Sequence, residues 1–477
     1  MTLEAPPPPT STMRPDIVSA YLASGMKVIS WAAVTMLMFT YHDARQFALF
    51  SLLRGTLSFL NYTTLGLAPA IIHALSRSAV PMAADVSVPT AMADGSDTLT
   101  YESAAVPKAS KSSKPLDFEA AEVGYSSVAL SVVLSVGGIL VAIAYAQNAA
   151  WLHGLGAEYR KLSVAETALY LGIGLALRLS SDSLGAILQA FGRISADNLA
   201  AALADVIWIL LMAGSAAAGD ASAKAAAVAF AVSSVLLLIA RAMMIPLLLG
   251  YTPARGKFFN AAIMKSLLWF GLLVSIAQLG DFLYAPTDYI IITRTLGLEQ
   301  VAVYAPAVQI DGALLLIIAG LANVLLPKAA AASALGRRDH LRTFFIQGTL
   351  ASTAMLLVSA VVVYFLSPWI FRIWLRDPMP LTQAILPLIL IHTVVGGSSA
   401  VGRSILLGMG KVKPFTIAVL IAGVSNVILS YSFVRFGGLG LKGVVLGTIC
   451  AVVGRCAIWQ PWYVWKCLRE SGKSEDS

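Results

Sequence analysis

Charge is scarce along this chain. Of its 477 residues, 12% are Asp, Glu, Lys or Arg, too few to cover a soluble protein of that size with a hydrated surface. Cysteine is scarcer. Cys450, Cys456 and Cys467 form neither a metal nor a redox motif and read as packing residues. Enzyme signatures are missing too. The stretch Gly408-Met409-Gly410-Lys411-Val412 lacks the glycine spacing and the Ser or Thr of a phosphate loop. No Ser-His-Asp order, zinc motif or carboxylate pair sits in a polar region. The sequon Asn61-Tyr62-Thr63 falls inside an apolar run. No secretory signal precedes the first such run, and residues 1–20, with Pro6 to Pro9, read as a disordered cytoplasmic leader.

Apolar sequence is abundant instead. Hydrophobic residues make up 58% of the chain, and the mean hydropathy is +0.79. A hydrocarbon core needs roughly 20 apolar helical residues to cross it. Such runs are expected near 22–41, 46–75, 126–147, 165–191, 197–219 and 223–250, then near 266–292, 301–326, 343–366, 381–408, 414–434 and 440–465. They are long and rich in Ala, Leu and Gly, not short and alternating, so they read as helices and not as barrel strands. The fold class is all-α, a polytopic membrane protein of about twelve transmembrane helices.

Lys and Arg are biased toward one set of loops. With the N-terminus inside, Lys108, Lys111, Lys114, Arg193, Arg255, Lys257, Arg337, Arg338, Lys411 and Lys413 all fall on the cytoplasmic side. The other side receives about half as many basic residues. The bias puts both termini on the cytoplasmic side of a bacterial cytoplasmic (inner) membrane. It also accounts for the net charge of +8, leaving no reason to invoke nucleic acid.

The chain repeats itself. Gln46, Ala48, Gly66, Leu67 and Ala68 recur as Gln300, Ala302, Gly320, Leu321 and Ala322, at an offset of 254. Ile187-Leu188, Gly192-Arg193 and Val206 recur as Ile405-Leu406, Gly410-Lys411 and Val424, at an offset of 218. The difference of 36 has a place to go: the loop 77–125 is some 30 residues longer than its counterpart near 328–342. Two six-helix lobes are therefore expected, at 21–250 and 266–466, joined by a cytoplasmic linker 251–265 and followed by a tail 467–477. Even helix numbers relate them by an axis along the membrane normal. The 77–125 loop, rich in Ser, Ala and Pro, reads as a flexible cytoplasmic insertion.

Ionisable residues within hydrocarbon are costly and mark candidate sites. Ser51, Arg54, Ser58 and Asn61 fall at i, i+3, i+7 and i+10, one polar stripe on the second span. Arg178, Asp182, Gly185 and Gln189 repeat that spacing on the fourth, where Arg178 and Asp182 could equally neutralise each other. On the seventh, Gln278, Asp281 and Asp288 share a face interrupted by Pro286. Asp205, Asp311, His392, Arg403 and Arg455 also lie deep. Arg241 and Arg403, toward cytoplasmic ends, are expected to snorkel to lipid phosphate. His392 lacks metal spacing and reads as a hydrogen-bonded interior residue, and Asn426 as a tie between helices.

Two stretches carry a family resemblance. The first is Asp288-Tyr-Ile-Ile-Ile, Leu296-Gly297, Val301-Ala-Val-Tyr304-Ala305 and Leu326-Pro327. The second is Leu407-Gly408-Met409-Gly410-Lys411, Asn426 and Gly437-Gly438-Leu439-Gly440-Leu441-Lys442-Gly443. In their order and spacing the chain resembles the multidrug, oligosaccharidyl-lipid and polysaccharide (MOP) exporter superfamily, and within it the bacterial polysaccharide flippase branch. It departs from the usual pattern at Tyr41-His-Asp-Ala-Arg-Gln-Phe and in the long 77–125 loop. The resemblance implies a transporter, not an enzyme, that flips a polyprenyl-diphosphate-linked oligosaccharide by alternating access of a cavity between two lobes. The implied partners are that lipid-linked substrate, membrane lipid and the polysaccharide polymerase and export machinery.

For such a substrate the diphosphate would be held by Arg54, with Ser58 and Asn61 beside it, then by Arg178 and Arg455, because the planar guanidinium suits phosphate. Asp281, Asp288 and Asp311 would couple transport to protons or sodium; no cofactor and no metal ion is implied. Two other readings stand. One is a cation-coupled multidrug exporter of the same superfamily, whose cavity would favour acids and aromatics. The other is a membrane glycan polymerase or ligase, which would carry a large extracytoplasmic loop.

Overall fold

Where their residues are described, the expected apolar runs fold as helix in the computed structural model. The structure describes residues 13–62, 67–68, 71–72, 75, 118–156, 159, 162–249, 260–269, 283–334 and 336–470. The N-terminal half holds α1 (Met13–Tyr41), α2 (Ala44–Leu57), the single turn α3 (Phe59–Tyr62), α4 (Phe118–Leu152), α5 (Val164–Ala190), α6 (Ile194–Ala217) and α7 (Ala223–Leu249). The C-terminal half holds α8 (Ala285–Leu296), α9 (Glu299–Ala334), α10 (Arg338–Trp374), α11 (Pro380–Ser398), α12 (Ala400–Gly408), α13 (Val412–Arg435) and α14 (Gly440–Val452). It ends in a π-helical segment, Val453–Trp459, that runs into α15 (Gln460–Glu470). No strand occurs among the described residues. Nine helical stretches among them are long and apolar enough to cross a membrane, and the chain is a multi-pass membrane protein.

Several boundaries differ from expectation. α1 begins at Met13, so residues 13–20, read as leader, form its first two turns. α4 begins at Phe118, inside the stretch 77–125 expected as loop. The expected tail 467–477 starts within α15, which continues to Glu470. Apolar periodicity could not place these ends, because the polar turns at a helix end lack the hydrophobic signal.

Helices outside the shared core turn large apolar side chains outward: Phe365 and Ile373 on α10 are exposed, as are Leu140 on α4 and Ile421 on α13. That surface suits lipid, not water. Inside the N-terminal half, α5 lies between α4 and α7, and small residues set the distance. A Cβ on Gly174 would stand 2.6 Å from the Phe230 ring and 3.1 Å from the Ala231 backbone, so α5 and α7 touch nearly backbone to backbone there.

The repeat is visible in local geometry. Gly192 and Gly410, the two members of the second repeated block, adopt φ of 74° and 73°, left-handed values that glycine takes freely. Arg193 N donates to Leu188 O at 2.8 Å, and Lys411 N to Leu406 O at 2.8 Å. Both halves thus end a helix with the same glycine turn, one repeat offset apart.

A polar chain links α2 to α4. Thr56 and the Tyr145 hydroxyl stand 2.5 Å apart, and that hydroxyl lies 2.6 Å from His153 Nε2 in the turn after α4. His153 is buried. Burial first, then the nearby Arg294 charge, pushes its pKa down to about 4.

Two predictions follow from this packing. Gly174→Val should lower stability by about 1–3 kcal/mol through overpacking, seen as a lower melting temperature in detergent. The folded protein should leave His153 neutral between pH about 6.5 and about 4 while the unfolded chain takes up its proton, so stability should fall as pH drops through that window. Melting temperatures of wild type and His153→Gln, compared at pH 7 and pH 5, check this: the variant should lose less on acidification.

Candidate functional site

A cavity of about 630 Å³ lies where the two halves meet. α1 contributes Lys27 and Trp31, α2 contributes Ser51, Arg54, Gly55 and Ser58, and Leu175 comes from α5. The far wall is Tyr289 of α8, Val308 to Ala313 of α9 excepting Asp311, and Trp374 of α10. Arg54, Gly55 and Ser58 stand one repeat offset of 254 from Val308, Gln309 and Gly312, and all six line the cavity. Equivalent helix faces thus meet here, as duplicated lobes around a shared axis require.

The stripe on the second span is where the sequence placed it. Three of its members, Ser51, Arg54 and Ser58, line the cavity; the side chain of the fourth, Asn61, lies outside the described residues, as does Asp281. The Arg54 guanidinium lies over the Trp31 ring and 5.9 Å from the centre of the Trp208 ring. Trp208 is held in turn by its Nε1 donating to Ala226 O at 3.1 Å. No carboxylate pairs with Arg54 among the described residues.

Arg178 is elsewhere. Its Nη2 meets Asp205 Oδ1 at 3.1 Å, Nε donates to Ser234 at 3.3 Å, and its Cζ lies 4.6 Å from the Phe230 ring centre. It serves as half of an internal ion pair and is not part of the cavity lining. The expected pairing with Asp182 gives way to one between helices, since Asp182 bonds Arg241 at 2.9 Å. Arg241 does not snorkel: it is buried, with Nε 2.7 Å from Asp197 and Nη1 2.9 Å from Ser181. A charge that finds acid partners inside its own lobe has no need to reach lipid phosphate. Arg455 also leaves the central cavity. It lies on the π-helical segment, in a groove of about 650 Å³ between α13 and the last helices, lined by Ile417, Ile421, Trp459 and Trp462.

The remaining acids gather in the C-terminal half. Asp288 is fully buried and accepts from Tyr304 at 2.9 Å, Thr448 at 2.9 Å and Asn426 Nδ2 at 3.2 Å. Asn426 also donates to Leu283 O at 3.1 Å, which makes it the tie between helices that the sequence suggested. Asp311 accepts from Thr393 at 2.6 Å and faces His392 Nδ1 at 3.3 Å. His392 is thus a hydrogen-bonded interior residue, and no cluster of three metal-ligating side chains occurs among the described residues.

Lys27, Trp31, Gln309 and Trp374 were missed by the sequence reading. Lys27 and Trp31 share a face at i, i+4 of the first span. That spacing was a usable signal, but Lys27 stood too near the span's end to count as deep.

The halves are bridged at one end of the cavity. Arg45 Nε and Glu299 Oε1 are 3.2 Å apart, and Tyr159 donates to Glu299 at 3.0 Å. Arg294 Nε donates to Leu152 O at 2.8 Å. Nearer the cavity, Gln309 Nε2 donates to Thr35 at 3.1 Å and Trp374 Nε1 to Ala32 O at 2.8 Å. At Gly55 a Cβ would fall 2.6 Å from the Tyr289 ring, so only a glycine lets α2 and α8 approach this closely.

Two helical halves thus meet around a central, mostly apolar cavity, and the comparisons show which fold this is. The model of the MatE family matches residues 274–432, about a third of the chain. No curated protein sequence matches significantly. Among solved structures, the chain is similar to an inward-facing multidrug resistance MATE family transporter of the MOP superfamily, with TM-score 0.72 and 16% identity over 94% of this chain and 99% of that one. An outward-facing MATE family transporter aligns with TM-score 0.66 and 17% identity over 96% of each chain. A MOP superfamily transporter from Pyrococcus furiosus Vc1, described as having a binding pocket of reverse polarity that suggests a different function, aligns with TM-score 0.65 and 17% identity over 96% of each chain. At such identities the likeness establishes the fold, that of MATE transporters, with two lobes. The inward- and outward-facing relatives are described as multidrug resistance transporters of the MOP superfamily, the superfamily that the sequence resembles, and nothing in these findings supports the polysaccharide flippase branch.

The bridge generates a prediction. The Arg45–Glu299 pair is half-exposed, and such pairs contribute only about 0–1 kcal/mol. Glu299→Gln should therefore raise the population open at that end a few-fold. Faster labelling of a cysteine placed at Ser58, with an impermeant thiol reagent added on the Glu299 side, would report it; unchanged labelling would mean that the bridge does not hold the lobes closed.

Proposed function

We propose that this protein is a secondary exporter of drug-sized amphiphiles that works by alternating access of the interlobe cavity. The observation carrying this reading is the cavity itself: about 630 Å³, walled by Trp31, Tyr289 and Trp374, and bridged at one end by contacts between the two halves. Pockets of roughly 300–1,000 Å³ suit small-molecule ligands. With both termini cytoplasmic, the bridged end, at Arg45, Tyr159 and Glu299, faces out. The multidrug descriptions of two similar solved structures support an exporter over the flippase expected from sequence.

Coupling is assigned to the C-terminal half. A buried carboxylate ringed by three hydroxyl or amide groups can exchange its proton, or hold sodium, only when the lobe rearranges around it. Asp288 is such a group; Asp311, held by Thr393 and His392, is the second candidate. Asp281 keeps its place as a third candidate from sequence.

A flippase retains one supporting observation, the arginine in the cavity, since Arg54 could grip a diphosphate. Deletion in the native host separates the readings. Gained sensitivity to amphiphilic drugs, with lipid-linked oligosaccharide unchanged in both leaflets, supports the exporter. Accumulation of that lipid on the cytoplasmic leaflet with loss of surface polymer overturns it in favour of the flippase. Asp288→Asn, reconstituted at wild-type abundance, should abolish uptake driven by an ion gradient while leaving substrate binding within a few-fold; full gradient-driven transport would remove Asp288 from coupling.

A further inference from the structure

Every other interior arginine of the N-terminal half for which the structure gives an ion pair has its acid within the lobe: Arg178 has Asp205, and Arg241 has Asp182 and Asp197. Arg54 differs. It faces the cavity with a tryptophan ring beneath it and no acid partner among the described residues. The second charged lining residue is Lys27, again a cation, and no Asp or Glu lines the cavity among the described residues. Lys27 likewise has no ion pair among the described residues.

Two cations lining one chamber repel each other, and Arg54 is half withdrawn from water with no acid among the described residues to compensate it. An anion entering the chamber relieves both costs. A cation would add a third like charge. The rest of the lining is the complement of an apolar body, with Trp31, Tyr289 and Trp374 offering flat aromatic faces, while Gln309, Ser51 and Ser58 supply neutral hydrogen-bonding groups.

From this we infer that the exported amphiphile is an anion, its carboxylate, sulfonate or phosphate held between Arg54 and Lys27 and its apolar body laid against the aromatic wall. This rests on the exporter reading and narrows it. Arg54 supplies a planar fork of donors already fixed by stacking on Trp31, and Lys27 a mobile point charge one helix away. Their division of labour makes Arg54 the orienting group and Lys27 the group that tolerates different acids.

The test uses two probes with one body, an N-dansyl amino acid carrying a free carboxylate and the corresponding dansyl diamine, which carries an ammonium. Equilibrium binding to the full chain in nanodiscs, read by dansyl fluorescence, should favour the carboxylate at least tenfold. Arg54→Gln and Lys27→Gln should each weaken carboxylate binding about tenfold, and the double variant should remove the preference for it over the ammonium. Arg54→Lys should retain most of the charge preference, which a merely structural arginine would not predict, and melting temperature identifies any variant that fails to fold.

Equal or tighter binding of the ammonium probe by wild type would overturn the inference. So would an unchanged preference in the folded double variant. A short-chain polyprenyl phosphate that displaces the carboxylate probe would place the anion on a lipid headgroup; displacement by free aromatic carboxylates but not by that lipid would place it on a soluble amphiphile. Both are anions and support the inference. Gradient-driven transport in proteoliposomes is scored separately. Transport of the ammonium probe alone would leave the exporter standing and the anion preference refuted, whereas carboxylate binding without transport of either probe would remove the exporter reading instead.

Discussion

A charge inside hydrocarbon must be matched, hydrated or neutralised, and the interior of this protein is arranged around that requirement. Isolated in a low dielectric, an arginine or aspartate costs several kcal/mol or more. In the N-terminal half the requirement is met by pairing across helices, through Arg178 with Asp205 and Arg241 with Asp182 and Asp197. These pairs join α5 to α6 and α7 at positions where the packing itself is made of small residues. Gly185 shows how closely the two devices are linked, because a Cβ there would stand 2.6 Å from Asp197 Oδ1 and 3.0 Å from the Arg241 guanidinium carbon. The missing side chain is the space that the ion pair fills.

In the C-terminal half the same requirement is met differently. Asp288 has no basic partner among the described residues and is held by a tyrosine, a threonine and an asparagine drawn from three helices. Neutral donors satisfy the oxygens without fixing the charge, so this carboxyl can change its protonation state or bind a cation without breaking an ion pair. Asp311 differs, accepting from Thr393 and facing His392, which makes an ion pair with it when the imidazole is protonated. The two halves of a duplicated chain have thus diverged: one spends its acids on internal arginines, while the other keeps them available.

How much of this could be read beforehand depends on how local the cause is. Helix existence and the helical class follow from apolar runs, and the second-span stripe follows from helical spacing, so Arg54, Ser51 and Ser58 were found. The repeated glycine turns were legible because the φ each demands admits few residues but glycine, and a glycine followed by a basic residue recurs one offset later. Partners of buried charges were not legible. Arg178 and Asp182 share a helix face, yet each chose a partner on another helix, because sequence spacing lists neighbours along one helix while pairing is decided by which helices pack. Arg455 went astray for a related reason: depth in a span says nothing of which side of the span faces the centre. Lys27 escaped because a lysine near a span end ordinarily reaches water, and only the approach of α2, α8 and α9 makes its surroundings a chamber.

The same distinction bears on substrate. Gripping a phosphate needs cations; the family resemblance implies a diphosphate-bearing lipid, and the sequence offers Arg54, Arg178 and Arg455 to hold it. The structure removes Arg178 and Arg455 from the cavity and adds Lys27. What remains is a chamber of about 630 Å³ with two cations and an aromatic wall, large enough for a drug-sized anion and small for an oligosaccharide carried on a polyprenol. Lobes that rock about the shared axis would carry Arg54 with α2 against Val308 and Gln309 on α9, so the anion site would be remade at each turn of the cycle. Binding energy from the anion can then favour one arrangement only to the extent that Arg54 and Lys27 meet it differently in the two states. A transporter of this design gains its selectivity from charges left unmatched in the cavity, which is possible because the rest of the lobe has matched its own.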